Sequence, residues 1–238
     1  MKFIVEEKVF SVLPTACFGV VVAHGIDNKS IDSRPAELLR QSIAAMETKF
    51  AASKAKEAIE IAPYRDAFVK LGLNPNKFLS SIEAMSSRIE KKKGFPSINP
   101  VVDLGNALSL KYLLPMGAHD IDAASGDIQV RFSRTGDLFT PFGETQAEEM
   151  EDGELIYSAG DRVKTRRWIW RQSEEGKVTE SSRNIFFPID GFTDRNLEAV
   201  LAARDELAAQ IRQIFGAGVQ TGMVDKENPV MEFSENQN

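Results

Sequence analysis

The sequence holds one cysteine, Cys17, and two histidines, His24 and His119, in 238 residues. A single cysteine excludes an intrachain disulfide and a cysteine-rich zinc site. Cys17 lies in Ala16-Cys17-Phe18-Gly19-Val20-Val21-Val22 with no charged neighbour to favour its thiolate, and it reads as a small buried hydrophobe. No run of about 18 apolar residues occurs, so no membrane-spanning helix is expected. The first residues, Met1 to Lys8, place Glu6 and Glu7 where a signal peptide would be apolar, and a cytoplasmic location is expected. The phosphate-cradling GxxxxGK[ST] is missing, as are GxGxxG opening a helix after a strand, HExxH and GxSxG. No cofactor is implied. A metal held by histidines would have to use both of them, and no metal is expected. There is no internal repeat, no low-complexity segment and no Gly/Ser/Pro-rich linker.

What is present is ordinary for a folded chain: 42% hydrophobic and 27% charged residues. A net charge of −6 argues against avid, sequence-independent nucleic-acid binding, and DNA is not an expected partner. Contact with a short piece of RNA through a local basic patch stays open. The charge is uneven. Glu144, Glu148, Glu149, Glu151, Asp152 and Glu154 form an acidic block, followed by Arg162, Lys164, Arg166, Arg167 and Arg171. Solvated surface is the plainest account of both blocks.

Phe3 to Val12 and Ala16 to Ala23 read as strands. Asp32-Ser33 before Pro35 signals a helix, and Leu38, Leu39, Ser42, Ile43, Met46 and Phe50 recur at helical spacing. Ala51 to Ile59 is compatible with an extension of that helix. Further helices are expected from Tyr64, from Asn74-Pro75, and from Asn99-Pro100 to about Tyr112, Asn serving as cap and Pro as first helical residue. From Ala118 the pattern changes to short strands. Candidates are Ile128 to Phe132, Leu155 to Ser158, Arg166 to Arg171 and Asn184 to Ile189. Thr193 or Asp194 caps a final helix striped by Leu197, Val200, Leu201, Leu207, Ile211 and Phe215, and a loose polar tail follows Asp225. Helices early and strands late predict an α+β fold, with one domain over 1–225 and a tail over 226–238.

Three groups could carry chemistry. Asn99, Asp103 and Asn106 share one face at the start of a helix, although capping accounts for Asn99 and the helix dipole for Asp103. If Ala118 to Asp122 is extended, His119 and Ile121 share one face and Asp120 and Asp122 the other. A neighbouring carboxylate would then orient the imidazole as a base. A satisfied structural histidine accounts for the pattern equally well. Arg166-Arg167-Trp168-Ile169-Trp170-Arg171, read as a strand, sets cations beside indoles that could receive a phosphate and a stacked base, while two tryptophans two apart are more often core.

In this order, Val101-Val102-Asp103-Leu104-Gly105-Asn106, Leu114 to Asp122 and Gly126-Asp127-Ile128-Gln129-Val130-Arg131 resemble the B3/B4 domain of the phenylalanyl-tRNA synthetase β-chain. That family reads approximately Val-Asp-x-Thr-Asn, Pro-Met-His-Ala-Phe-Asp and Gly-x-Ile-x-Val-Arg. Tyr64, Gly72, Asn74-Pro75, Ser81-x-Glu83-Ala84 and the Arg166 to Gln172 segment look like its free-standing branch, which lacks a synthetase body. The resemblance spans roughly Tyr64 to Ile189. It implies a layered α+β fold around a β-sandwich with flanking helices. The synthetase domain hydrolyses the ester of tyrosine wrongly attached to its tRNA, so the implied activity is a deacylase acting in trans on mischarged aminoacyl-tRNA. The 3′ end of that tRNA is the implied partner, and a synthetase or other tRNA-binding protein could lend affinity. The implied catalytic residues are His119, positioning or activating water, and Asp103. Asn99, Asn106, Gly117, Asp120 and Arg131 would form the substrate pocket, with Asn99, Asp103 and Asn106 binding the α-amino group and Arg131 orienting Asp103 or Asp120. Arg166 or Arg171 would meet the RNA backbone. Gly117 stands where the synthetase has its editing histidine, and His119 stands where it has Phe. The rival expectation is a binding module for an amino acid, nucleotide or RNA end that kept the pocket without the chemistry.

Overall fold

The structure, a computed structural model, describes residues 1–122 and 124–234. In chain order its elements are β1 (Lys2–Val5), α1 (Glu7–Val12), β2 (Ala16–His24), α2 (Arg34–Lys49), α3 (Ala62–Lys70), α4 (Ser81–Glu90) and α5 (Pro100–Tyr112). Then follow β3 (His119–Asp120), β4 (Ile128–Phe132), β5 (Leu138–Phe139), β6 (Glu148–Glu149), β7 (Leu155–Ala159), β8 (Arg162–Arg166), β9 (Arg171–Gln172) and β10 (Ile185–Phe192). The chain closes with α6 (Leu197–Phe215), β11 (Gly218–Val224) and β12 (Val230–Glu232).

The fold is α+β, with helices around two sheets. The larger sheet runs β12-β1-β4-β7-β8-β5-β6 with β9 added on β8, and the smaller runs β11-β2-β10-β3. Aromatic side chains join the two faces. Phe3 of the larger sheet packs on Phe18 and Phe186 of the smaller, centroids 5.8 and 5.0 Å apart, and Tyr157 meets Phe18 edge-on. The other side of the smaller sheet is closed by α6, so near that a Cβ on Gly19 would lie 2.9 Å from Val200. Burial on both faces explains why β2 reads as an unbroken apolar run instead of alternating.

Several boundaries differ from expectation for identifiable reasons. The stretch expected as one strand, Phe3 to Val12, breaks at Glu6: Glu7 enters the first turn of α1, where the dipole favours it, and Val9 and Phe10 turn inward. The extension through Ile59 does not form. Phe50 is buried at the end of α2, and the Ala55 amide is held by the Glu90 carboxylate at 2.9 Å. The helix expected at Asn74 starts instead at Ser81, where Ser80 accepts the Glu83 amide; Asn74 caps a turn through the Asn76 amide. At the start of α6 the cap position is Asn196, whose side chain takes the Phe192 amide. Helix α5 occupies the span that Asn99-Pro100 and Tyr112 marked for it, and β4 the span expected from Ile128 to Phe132.

The segment after Asp225 was expected to be loose. Its described part instead makes β12 antiparallel to β1, and Phe233 is buried against Phe186; residues 235–238 lie outside the described residues. No helix among the described residues is long and apolar enough to cross a membrane.

Candidate functional site

The site is built on the segment that leaves α5. Leu113 ends that helix in the left-handed region (φ 54°), and the chain then runs antiparallel along β10. Asp190 donates its amide to the Pro115 carbonyl, Gly117 donates to Pro188 (both 3.0 Å), and His119 pairs with Phe186. On one side of this ribbon lies an inner cavity of about 90 Å³, bordered by Pro115, Gly117, His119, Tyr157, Trp168 and Asp190 among others. One water needs about 10–15 Å³ on this measure, so a small ligand group fits. On the other side is an outer cavity of about 370 Å³, bordered by Asn99, Asn106, Val102, Phe142, Lys177 and Thr179. Met116, Gly117 and Gln172 border both.

Asp190 is the unusual group. It is 2% exposed, and its Oδ1 accepts from Tyr157 (2.6 Å) and from the Trp168 indole (2.7 Å). No protein donor reaches Oδ2 in the described structure, and that oxygen is left to the cavity. Burial pushes the carboxyl up to about 7, against the two hydrogen bonds that favour its charge. Burial likewise holds the Tyr157 hydroxyl well above its ordinary range, with Asp190 adding to the effect, so it remains a donor.

His119 shows the converse. Burial first and Lys164 second push its imidazole down to about 3, so the ring is neutral near pH 7. It stacks on Tyr157 with centroids 5.8 Å apart. Its Nδ1 is buried without a partner, and Nε2 faces Gly117, where a Cβ would come within 3.1 Å of it. The same Cβ would meet Pro188 at 3.1 Å. A glycine at 117 therefore lets the imidazole of His119 press against the position where the family motif carries its own histidine.

The turn between β8 and β9 supplies Trp168. Arg167 and Trp168 have φ of 49° and 59°, left-handed backbone that costs such residues roughly 1–2 kcal/mol each. The expected strand from Arg166 to Arg171 is replaced by this turn. Full burial of the Trp168 ring and its bond to Asp190 hold it.

A family model described as the B3/4 domain matches residues 63–220, more than half of the chain. The chain belongs to the B3/4 domain family. It is 30% identical over 123 residues to the phenylalanine–tRNA ligase beta subunit of Idiomarina loihiensis, covering 52% of this chain and 14% of that protein. The corresponding subunit of Colwellia psychrerythraea is 30% identical over 132 residues, 55% of this chain and 16% of that one. The chain thus matches a small part of these relatives' length. Among solved structures, an N-terminal fragment of the phenylalanyl-tRNA synthetase beta subunit from Pyrococcus horikoshii aligns at 12% identity with a TM-score of 0.46, over 91% of this chain and 49% of the other.

In this B3/4 domain the expected site residues divide. His119 and Gly117 border the inner cavity, Asn99, Asn106 and Gly117 the outer one. The Asn106 side chain makes no hydrogen bond within the described structure and is free to meet a ligand, whereas the Asn99 amide is used by Val102, Asn28 and Val178. Asp103 borders neither cavity: its carboxylate is filled by the Ser97 hydroxyl and the Ile98 amide, which tie down the approach to α5. Asp120 accepts from Ser182 and from the Asp122 amide, so it braces a loop. Arg131 was expected to orient Asp103 or Asp120. It forms instead a buried bidentate pair with Asp137 at 2.6 and 2.7 Å, in the turn that follows β4. Arg166 is claimed by Glu154 (2.8 Å) and Glu148, and Arg167 by Glu154. Arg171 borders the inner cavity and is exposed, 4.5 Å from the Trp170 ring, with no carboxylate partner among the described residues. Asp190 escaped the sequence reading, although a lone acid in Ile185-Phe186-Phe187-Pro188-Ile189-Asp190-Gly191-Phe192 was the signal for it. No three His, Cys, Asp or Glu side chains among the described residues come together to hold a metal.

Proposed function

We propose that this B3/4 domain hydrolyses the ester of mischarged aminoacyl-tRNA in trans. The supporting observation is the pair of cavities meeting at Met116, Gly117 and Gln172, with His119 facing Gly117 from the inner one. An aminoacyl-tRNA end is a ligand in two parts joined by an ester. The outer cavity suits the terminal adenosine, with exposed Phe142 as a stacking surface and Asn106 as an unused amide. The inner cavity suits the aminoacyl group. With the ester over Gly117, a water oriented by a hydrogen bond to neutral His119 attacks the carbonyl carbon, and its proton passes to the ribose oxygen as the ester C–O bond breaks. The likeness of Tyr64, Gly72 and Ser81-x-Glu83-Ala84 to the free-standing branch supports action in trans.

The test is a deacylation screen across mischarged tRNAs with purified protein. At least one amino acid should be released, and His119→Ala should lower that rate by about 10²-fold while changing tRNA binding far less. Because the imidazole pKa lies near 3, wild type should show no histidine limb between pH 5 and its ordinary pKa of 6.5. Gly117 at the family's histidine position favours the second reading, a binding module without hydrolysis. No release from any tRNA, by wild type or variant, would select it.

A further inference from the structure

We propose that the inner cavity is a recognition site for a primary ammonium group, with Asp190 as its counter-charge, held in place by Tyr157 and Trp168. The cavity borders one carboxylate, and that carboxylate has one oxygen saturated and the other unmatched by any protein donor. That oxygen opens on the cavity, where a ligand's donor can complete it. The donors already present are neutral, so the ligand is also the natural source of positive charge. His119 cannot supply it, being held neutral by burial. Arg171 borders the same cavity but is exposed, where water screens it, and it lies over Trp170. The indole N–H of Trp168 and the hydroxyl of Tyr157, both buried, hold the carboxylate at the cavity through its other oxygen. A strained left-handed backbone at Trp168 is retained where its indole meets Asp190. The carboxyl's raised pKa, near 7, means that a cation binding beside it would draw it into the ionised form.

On the deacylase reading, on which this identification rests, the ammonium is the α-amino group of the aminoacyl ester. Asp190 then performs the task expected of Asp103, whose oxygens are already filled by Ser97 and Ile98. A cavity of about 90 Å³ holding the amine and a side chain together favours small amino acids.

The probes are L-alaninamide and L-lactamide, which differ only in an ammonium replaced by a hydroxyl, titrated calorimetrically into the full chain near neutral pH. Alaninamide should bind at least roughly tenfold more tightly, as expected for a charge-assisted hydrogen bond in a buried site. Asp190→Asn, which keeps an oxygen for Tyr157 and Trp168, should abolish that preference while the variant still melts cooperatively. Equal affinities for the two probes, no binding of either, or a preference surviving in Asp190→Asn would overturn the proposal. A parallel comparison of aminoacyl-tRNA with its deaminated hydroxyacyl form separates this inference from the deacylase reading. Equal hydrolysis of both overturns the ammonium site and leaves the deacylase standing. Amine-selective binding through Asp190 without any hydrolysis supports the site and removes the deacylase.

Discussion

Asp190 and His119 border one cavity and are shifted in opposite directions by the same burial. For Asp190 the folded pKa, about 7, lies above the ordinary 3.8, so the protonated acid is the form that the fold prefers. The associated stability is fully present below pH 3.8 and is lost as pH rises through 7. The charges and dipoles facing this carboxylate are the Tyr157 hydroxyl, the Trp168 indole, the neutral His119 ring, the Cys17 thiol, held up near 12, and exposed Arg171. Burial holds the tyrosine hydroxyl and the thiol up and the imidazole down, away from this range. Asp190→Asn keeps the shape and removes the ionisation. It should therefore be more stable than wild type at pH 8, by an amount on the order of 4 kcal/mol at most, with the gap closing toward pH 4. Urea midpoints of both proteins across that range measure it. A gap independent of pH would mean that Asp190 is not the buried acid described. His119 carries the opposite sign: its contribution is full above pH 6.5 and is lost as pH falls toward 3, so it does not imitate the Asp190 effect.

β12 is short, and it ties the chain's last described residues to its first strand. Lys2 faces Glu232 and Ile4 faces Val230 in register, and Phe233 drops onto Phe186, centroids 5.9 Å apart. Truncation after Asp225 should remove this strand and expose β1 and Phe3 along one edge. Losing the buried Phe233 ring alone is worth about 3–5 kcal/mol. The truncated chain should show a clearly lower urea midpoint; melting indistinguishable from the full chain would show β12 to be dispensable. Sequence reading missed this strand because Val230-Met231-Glu232-Phe233 is short and sits among Asn, Glu and Gln, where composition outweighs pairing. It found α5 because a cap, a proline and an apolar stripe agreed there. It recognised the His119 segment by motif order. It missed the Asp190 side of the site because strand β10 gives no local hint of what crosses the sandwich to meet it. Trp168 was misplaced for a related reason: two non-glycine residues in left-handed backbone leave no signature in sequence, and tertiary burial and hydrogen bonding hold them.

At the scale of the whole molecule, Phe3 and Phe233 share one hydrophobic core with Val22, Leu108 and Ile211, and on this ground we propose that the chain unfolds as one cooperative unit. Charge is distributed with more consequence for function. The acidic and basic blocks that looked like independent surface are partly spent on one another, Glu154 and Glu148 on Arg166 and Glu154 on Arg167. With a net charge of −6, little positive surface remains near the cavities beyond Arg171 and Lys177, and Lys177 is itself paired with Glu174. Binding of a tRNA end by this chain alone should therefore release few counterions. For one or two phosphate contacts on single-stranded RNA, log affinity against log salt should fall with a slope of roughly −1. Arg171→Ala should flatten that slope by about 0.7, whereas Arg166→Ala should leave it nearly unchanged, because Arg166 already has its carboxylates. Filter binding of a mischarged tRNA at several salt concentrations provides the numbers. A slope near −5, or an Arg166 effect as large as that of Arg171, would mean that the acidic block swings away from the arginines and that a broad basic face meets the RNA.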